Sequence, residues 1–476
     1  MPRGDPAAAV GGADDAAGGP KAGGLSPALC ARVVTSVTTL AEGYDFGCIA
    51  GALVLFREEL ALTPVSEGLV VSCFHFAMVV AAPMAGMLAD IAGRKMALAL
   101  TYALLIVGAL AGASAEGAEM LCVGRVLQGM GVGGGMAVIT AYMAEISPRG
   151  LRGVYVSLEE MFTVLGVTFG YFMGYALPSW RWMIGIGGVL PFVALCLLLL
   201  PQLPESPRWY LLRGETARAK QCLIEIFGEE EAKHVLREWS GGGAACSWAE
   251  LVCSRSAWCR RVFGTSVGIF AFDALTGISV VSINITTLLA AAVPERQASL
   301  IAMGLYSARV AMLLGSSFFV VDAWGRRHLL LSGFTGVSLC MILLSFLYWA
   351  AVPLQWQVGG WAFYLLVYSY GIGGTKYVYA SEILPTERRS KGLSFAVMCQ
   401  RTIAGVLTLS FPMVSSTYGS FYFWAGLAIV NVFAIFFIWA FAPETAGVSL
   451  EEMRPLFSGA SESSTPCSKL PGAAAP

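Results

Sequence analysis

The chain has 476 residues, 57% hydrophobic and 13% charged, with a mean hydropathy of +0.69. That excludes an ordinary soluble globular protein and describes a polytopic membrane protein. The formal net charge of −1 decides nothing as a total, whereas its distribution along the chain is informative.

Residues 1–29 are rich in Gly, Ala and Pro and lack an apolar core or cleavage site, which predicts a disordered tail and not a signal peptide. Twelve apolar stretches long enough to cross a bilayer follow, at 30–55, 68–88, 96–114, 119–146, 154–177, 183–201, 262–291, 298–321, 328–351, 358–383, 391–417 and 420–441. The expected fold is all-α: twelve transmembrane helices in two six-helix bundles, 30–201 and 262–441. A cytoplasmic loop over 202–261 joins the bundles, and a cytoplasmic tail over 442–476 follows.

The first span carries Glu42-Gly43-Tyr44-Asp45-Phe46-Gly47-Cys48-Ile49-Ala50-Gly51. A carboxylate inside a span is costly and normally faces a cavity or a partner, so Asp45 is a functional candidate. Gly43, Gly47 and Gly51, at four-residue spacing, predict a close-packing helix face.

After the second span come Asp90, Gly93, Arg94 and Lys95; after the eighth come Asp322, Gly325, Arg326 and Arg327, an offset of 232 residues. Glu145 and Arg152 after the fourth span are echoed by Glu382 and Arg389 after the tenth, at 237. Glu205 after the sixth is echoed by Glu444 after the twelfth, at 239. Three near-equal offsets imply two six-span halves related as parallel repeats, an arrangement that places a substrate site at their interface near the midplane. The charged sets are expected to act as gates, pairing across that interface in one state and separating in the other. Because these turns hold most of the loop cations, the positive-inside rule puts both termini in the cytoplasm.

Within 202–261, Ala219, Cys222, Leu223, Ile226 and Phe227 follow helical spacing, predicting a short amphipathic helix. Twelve cysteines without a Cys-x-x-Cys pair indicate neither a disulfide framework nor a metal site. The sequon at Asn284 lies inside the seventh span and is not expected to carry sugar.

With these residues assembled, the chain resembles a major facilitator superfamily member of the sugar porter family over nearly all of 30–456. The motifs are Gly43-Tyr44-Asp45-Phe46-Gly47, Gly124-Arg125, the two Asp/Gly/Arg turns, Pro204-Glu205-Ser206-Pro207-Arg208-Trp209 and Pro443-Glu444-Thr445. Within that family it is most similar to proton-coupled polyol and monosaccharide symporters of the inositol type, through Glu160 in the fifth span and Gln400-Arg401 in the eleventh. It departs from sugar porters in the seventh span, where Asp273-Ala274-Leu275-Thr276-Gly277-Ile278-Ser279 replaces their paired amides. It departs again in the tenth, at Gly373-Gly374-Thr375-Lys376-Tyr377.

The resemblance implies a secondary transporter that moves a sugar or polyol by alternating access. Asp45 and Arg125 stand where the family pairs an acid with an arginine, and a proton on Asp45 would release Arg125; a permanent ion pair in a passive facilitator is the alternative. Substrate-binding candidates by position are Glu160, Asp273, Thr276, Ser279, Asn284, Lys376, Tyr377 and Gln400. Any one of them would also serve as a hydrogen bond between helices. Arg309, Lys376 and Arg401 place three cations in the second half, which keeps an organic anion open as a rival substrate. A ligand sensor of the same fold that does not transport is a further alternative. The proton is the expected coupling ion, and no other cofactor and no metal is expected. No enzyme activity and no nucleic-acid partner is expected either. The protein is expected to work as a monomer in a lipid bilayer, the plasma membrane by family resemblance.

Overall fold

A computed structural model describes residues 27–146, 152–200, 203–241, 256–291, 293–316, 324–385, 389–445 and 457. The N-terminal tail up to residue 26, most of the C-terminal tail, and Asp322 lie outside the described residues, as does the side chain of Arg152.

The first half comprises α1 (Pro27–Glu59), α2 (Pro64–Ala92), α3 (Arg94–Ala113), α4 (Ala118–Ile146) and α5 (Arg152–Ala176). Its sixth crossing is shared by α6 (Trp180–Ile186) and α7 (Val189–Leu198). A polar connection carries α8 (Pro207–Leu212), α9 (Thr216–Phe227) and α10 (Glu229–Gly241). The second half opens with α11 (Ala257–Leu275) and α12 (Ile278–Ala290), which share the seventh crossing, followed by α13 (Glu295–Gly315) and α14 (Arg326–Trp349). Its tenth crossing is α15 (Leu354–Tyr368), a π-helical turn (Ser369–Gly373) and α16 (Thr375–Ile383). It closes with α17 (Arg389–Thr417) and α18 (Ser420–Phe441).

Among the described residues, ten helices or continuous helix pairs are long and apolar enough to cross a membrane. The other two crossings are α5 and the tenth, which the π turn divides into pieces of 15, 5 and 9 residues. The helices outrun their apolar stretches where the ends are capped. At α2, Thr63 accepts a hydrogen bond from the Ser66 amide at 3.2 Å and Pro64 occupies the first turn, so the helix begins a turn before its apolar run.

The sequence repeat has a geometric counterpart in two matching clusters. In the first half the Glu205 carboxylate accepts from the Arg94 and Lys95 amides at 2.9 and 3.1 Å, the free N–H groups that open α3. The Arg94 guanidinium in turn holds Glu145 at 2.9 Å, and Ser206 donates to Glu145 at 2.5 Å. In the second half Glu444 accepts from the Arg326 and Arg327 amides at 2.8 and 3.0 Å, Arg326 holds Glu382 at 3.1 Å, and Thr445 donates to Glu382 at 2.6 Å. Gly93 and Gly325 precede these helices at φ +100° and +83°, and a Cβ at either would strike the capping carboxylate. In each half one acid, Glu205 or Glu444, neutralises a helix N-terminus, where a carboxylate next to free amides is stabilised, and the other, Glu145 or Glu382, pairs with that half's arginine. Among the described residues, the gating acids Glu145, Glu205, Glu382 and Glu444 each have partners in their own half. Asp90, 64% exposed, meets Arg94 at 3.2 Å, and Arg389 donates to the Leu384 carbonyl at 3.3 Å.

The halves meet along α2 with α17 and α5 with α13, and α12 packs on α1 at the end remote from the arginine turns. There Thr286 donates to the Ala50 carbonyl and Tyr171 donates to the Ser282 carbonyl across the interface. Tyr306 donates to the Ser282 hydroxyl at 2.5 Å, and the Tyr171 and Tyr306 rings lie 4.9 Å apart. These contacts seal that end. In the connection, α9 buries Ala219, Cys222 and Leu223 on one face. The Cys222 thiol donates to the Glu205 carbonyl at 3.3 Å; burial first, then the charges of Glu225 and Glu205, push it up to about 12, so it stays neutral.

Candidate functional site

Two polar networks occupy the middle of the bundle, one in each half. In the first, Asp45 on α1 faces Arg125 and Gln128 on α4, and all three are buried. Gln128 stands one helical turn after Arg125, so both point the same way. Its amide accepts from Arg125 Nη1 at 3.0 Å and donates to Asp45 Oδ1 at 3.1 Å. The sequence suggested a direct acid–arginine pair; an amide that both donates and accepts stands between them instead. The Arg125 guanidinium lies 4.2 Å over the Phe74 ring, while its Nε is buried without a partner.

The second network centres on Asp273 on α11, whose side chain has no exposure. Lys376 Nζ meets it at 2.8 Å, the Tyr368 hydroxyl donates to Oδ1 at 2.8 Å, and the Gln400 amide donates to Oδ2. Local backbone irregularities position these groups. Gly277, at φ +73°, breaks the seventh crossing one residue after Thr276, and the Thr276 carbonyl left at that break accepts from Tyr364 at 2.7 Å. In the tenth crossing the π turn separates Tyr368 from Lys376, which are nonetheless 3.1 Å apart at their polar tips.

Arg309 on α13 extends this network toward the first half. Its Nε donates to Ser369 at 3.1 Å, its Nη2 reaches Glu160 on α5 at 3.5 Å, and the Tyr306 and Tyr368 rings each lie 5.3 Å from it. Arg401 on α17 lies over the Phe46 ring of α1 at 5.4 Å, with its Nε buried and unpartnered. Of the three cations that kept an anionic substrate open, Lys376 and Arg309 face carboxylates and Arg401 faces a ring.

The remaining substrate-binding candidates separate into two sets. Asn284 donates to the Val280 carbonyl and Thr276 to the Asp273 carbonyl, each within its own helical segment. Asp273 has both oxygens committed to protein donors. Gln400 Oε1 is buried without a partner, Tyr377 packs edge-on against Phe270 at 5.1 Å, and Ser279 is half-buried. Gln128, Tyr368 and Ser369 were not singled out from the sequence. Only Gln128 left a readable signal, its spacing from Arg125; Tyr368 and Ser369 depend on the π turn.

A family model described as "Sugar (and other) transporter" matches residues 31–457. Polyol transporter 5 of Arabidopsis thaliana is 30% identical, over 91% of this chain and 86% of that protein. The glucose transporter GlcP of Staphylococcus epidermidis is 28% identical, over 87% of this chain and 94% of that one. The inward-open structure of the xylose transporter XylE from E. coli superposes with a TM-score of 0.76 at 22% identity, covering 90% of this chain and all of that one.

Proposed function

The chain belongs to the sugar (and other) transporter family, and from that premise we propose that it carries a sugar or polyol across a membrane by alternating access, coupled to a proton. The observation that carries the coupling is Asp45, a buried carboxylate joined to a buried arginine through one amide. An ionised Asp45 accepts from Gln128 and balances Arg125. Protonation removes that charge, weakens the Gln128 contact and frees the guanidinium, so the same three side chains have two arrangements that differ by one proton. A secondary transporter needs such a two-state element, biased by the ion.

The substrate class rests on the polyol and glucose transporters named above and on how the buried cations of the second half are paired. Lys376 is offset by Asp273 and Arg309 by Glu160, which removes two of the three cations an anionic substrate would use. Sealing of the end remote from the arginine turns supports a state open toward those turns. By the charge of the turns that side is the cytoplasm, which also holds both termini. We place the protein in the plasma membrane, acting as a monomer.

The test is uptake of labelled polyols, monosaccharides and inositol by reconstituted protein with and without an inward proton gradient. Wild type is expected to accumulate one of them only with the gradient. Asp45→Asn is expected to equilibrate it without accumulation. An Asn variant that still concentrates substrate removes Asp45 from the coupling.

A further inference from the structure

Glu42 is a second carboxylate on α1, buried with 2% exposure, and the coupling element described above does not use it. It stands three residues before Asp45, one helical turn nearer the arginine turns, since α1 joins α2 at the opposite end. Both carboxylates look toward α4. Asp45 accepts from Gln128, and Glu42 Oε1 lies 3.2 Å from where a Cβ on Gly135 would stand, two turns further along α4 toward Glu145. The glycine at 135 is therefore what leaves room for this carboxylate. Thr101 of α3 borders the same space, with Oγ1 3.9 Å from that Cβ position. One turn beyond Glu42 on α1, Thr38 donates to the Val34 carbonyl at 2.7 Å and so accepts from the Tyr102 hydroxyl at 2.5 Å. Among the described residues, the titratable and charged groups around Glu42 are Tyr102, close enough to feel its charge, Asp45 on the same helix, and Arg125 on α4 beyond Gln128; α5 brings the Thr163 backbone against Gly43. Asp45, Glu42 and Thr38 thus form a line of polar side chains along one face of α1, running toward the arginine turns.

We propose that Glu42 is the acceptor to which Asp45 gives up its proton, and from which the proton leaves on the side of the arginine turns. The relay rests on the proton-coupled reading above and deepens it. One proton passes from the Asp45 carboxyl to the Glu42 carboxylate, directly or through one water. Asp45 is left ionised, accepts again from Gln128 and balances Arg125, while Glu42 becomes neutral. Glu42 then releases the proton to water on the side of the arginine turns and is ionised again, so the step conserves charge. Aspartate and glutamate carboxyls have nearly equal intrinsic proton affinity, so the transfer between them has little bias of its own and the gradient sets its direction. Two ionised carboxylates one turn apart in a buried site repel, and one shared proton removes that repulsion. The end remote from the arginine turns is sealed in this state by Thr286 and Tyr171, which leaves the direction of Glu42 for the proton.

The experiment follows lumenal acidification with a pH dye, together with uptake of the labelled solute that the panel above identifies, in liposomes of full-length protein under an inward proton gradient. Glu42→Gln is expected to slow both by about tenfold or more, the scale of losing a proton-transfer group. Counterflow of the same solute at equal pH is expected to match wild type, because that exchange needs no proton to leave. Given time, the final accumulation is also expected to match, since a relay sets the rate and not the stoichiometry. Glu42→Asp keeps a carboxyl and is expected to recover most of the rate. Gly135→Ala leaves Glu42 in place but puts a Cβ against its Oε1, and is expected to slow proton-driven uptake while sparing counterflow. Wild-type proton-driven rates in Glu42→Gln or in Gly135→Ala overturn the relay. So does an equal loss of counterflow and proton-driven uptake, or a Glu42→Asp protein no faster than Glu42→Gln, since each marks Glu42 as a structural group. A wild type that ignores the gradient, or an Asp45→Asn protein that still concentrates solute, removes the proton reading itself. That result is distinct from a proton-driven wild type that Glu42→Gln equals.

Discussion

Asp273 is tied to Lys376 at 2.8 Å with no solvent exposure, a setting in which removing one charge leaves the other stranded. Asp273→Asn is expected to destabilise the purified protein by about 3–5 kcal/mol and to lower its thermal transition. Replacing both residues by apolar side chains of similar size is expected to recover most of that loss. The pair with Asp45 differs in kind, because Gln128 separates the charges. Gln128→Ala is expected to leave substrate exchange at equal pH largely intact while lowering gradient-driven accumulation, since the amide carries information between Asp45 and Arg125 and touches neither bundle interface. Comparing counterflow with accumulation in the same vesicles checks this.

The tightest helix pairing is α1 against α5. A Cβ added at Gly43 would land on the Thr163 backbone carbonyl, and one at Gly47 on that of Val167; Gly166 and Gly170 return the same closeness from α5. Because backbone and not a movable side chain is in the way, the helices must separate to admit a larger residue. Gly43→Val is expected to cost more than the roughly 1–3 kcal/mol typical of overpacking and to reduce folded protein in detergent, whereas Gly86→Ala, where nothing lies within 4 Å, should be silent. Size-exclusion profiles of the two variants give the comparison. The same pairing explains why Glu160 reaches the interface: α5 is clamped to α1 along its glycine face, and its other side is left for α13.

Across the whole molecule, transport requires the end sealed by Thr286 with Ala50 and by Tyr171 with Ser282 to open in turn. A cysteine pair at Ala50 and Thr286 is expected to form a disulfide that abolishes uptake, with activity returning on reduction; oxidised protein that still transports would place the moving gate elsewhere. The all-α architecture, the two-fold repeat and the family were legible in the sequence because they rest on features local to the chain. These are apolar runs of bilayer length, a cost on every intramembrane charge, and turn motifs repeated at near-constant offset. The short helix over Thr216–Phe227 was legible for the same reason, as a periodicity within one segment. What each charge touches was not. Glu205 and Glu444 cap helix ends, Glu145 and Glu382 pair with arginines of their own halves, Gln128 enters between Asp45 and Arg125, and Glu160 finds Arg309 149 residues away. Sequence alone determined which polar groups must be buried, since hydrophobic length forces that. Only the tertiary structure decided their partners, because a buried charge takes the nearest group that packing supplies, and packing here is set by glycine faces, a left-handed break and a π turn that bring together residues far apart in the chain.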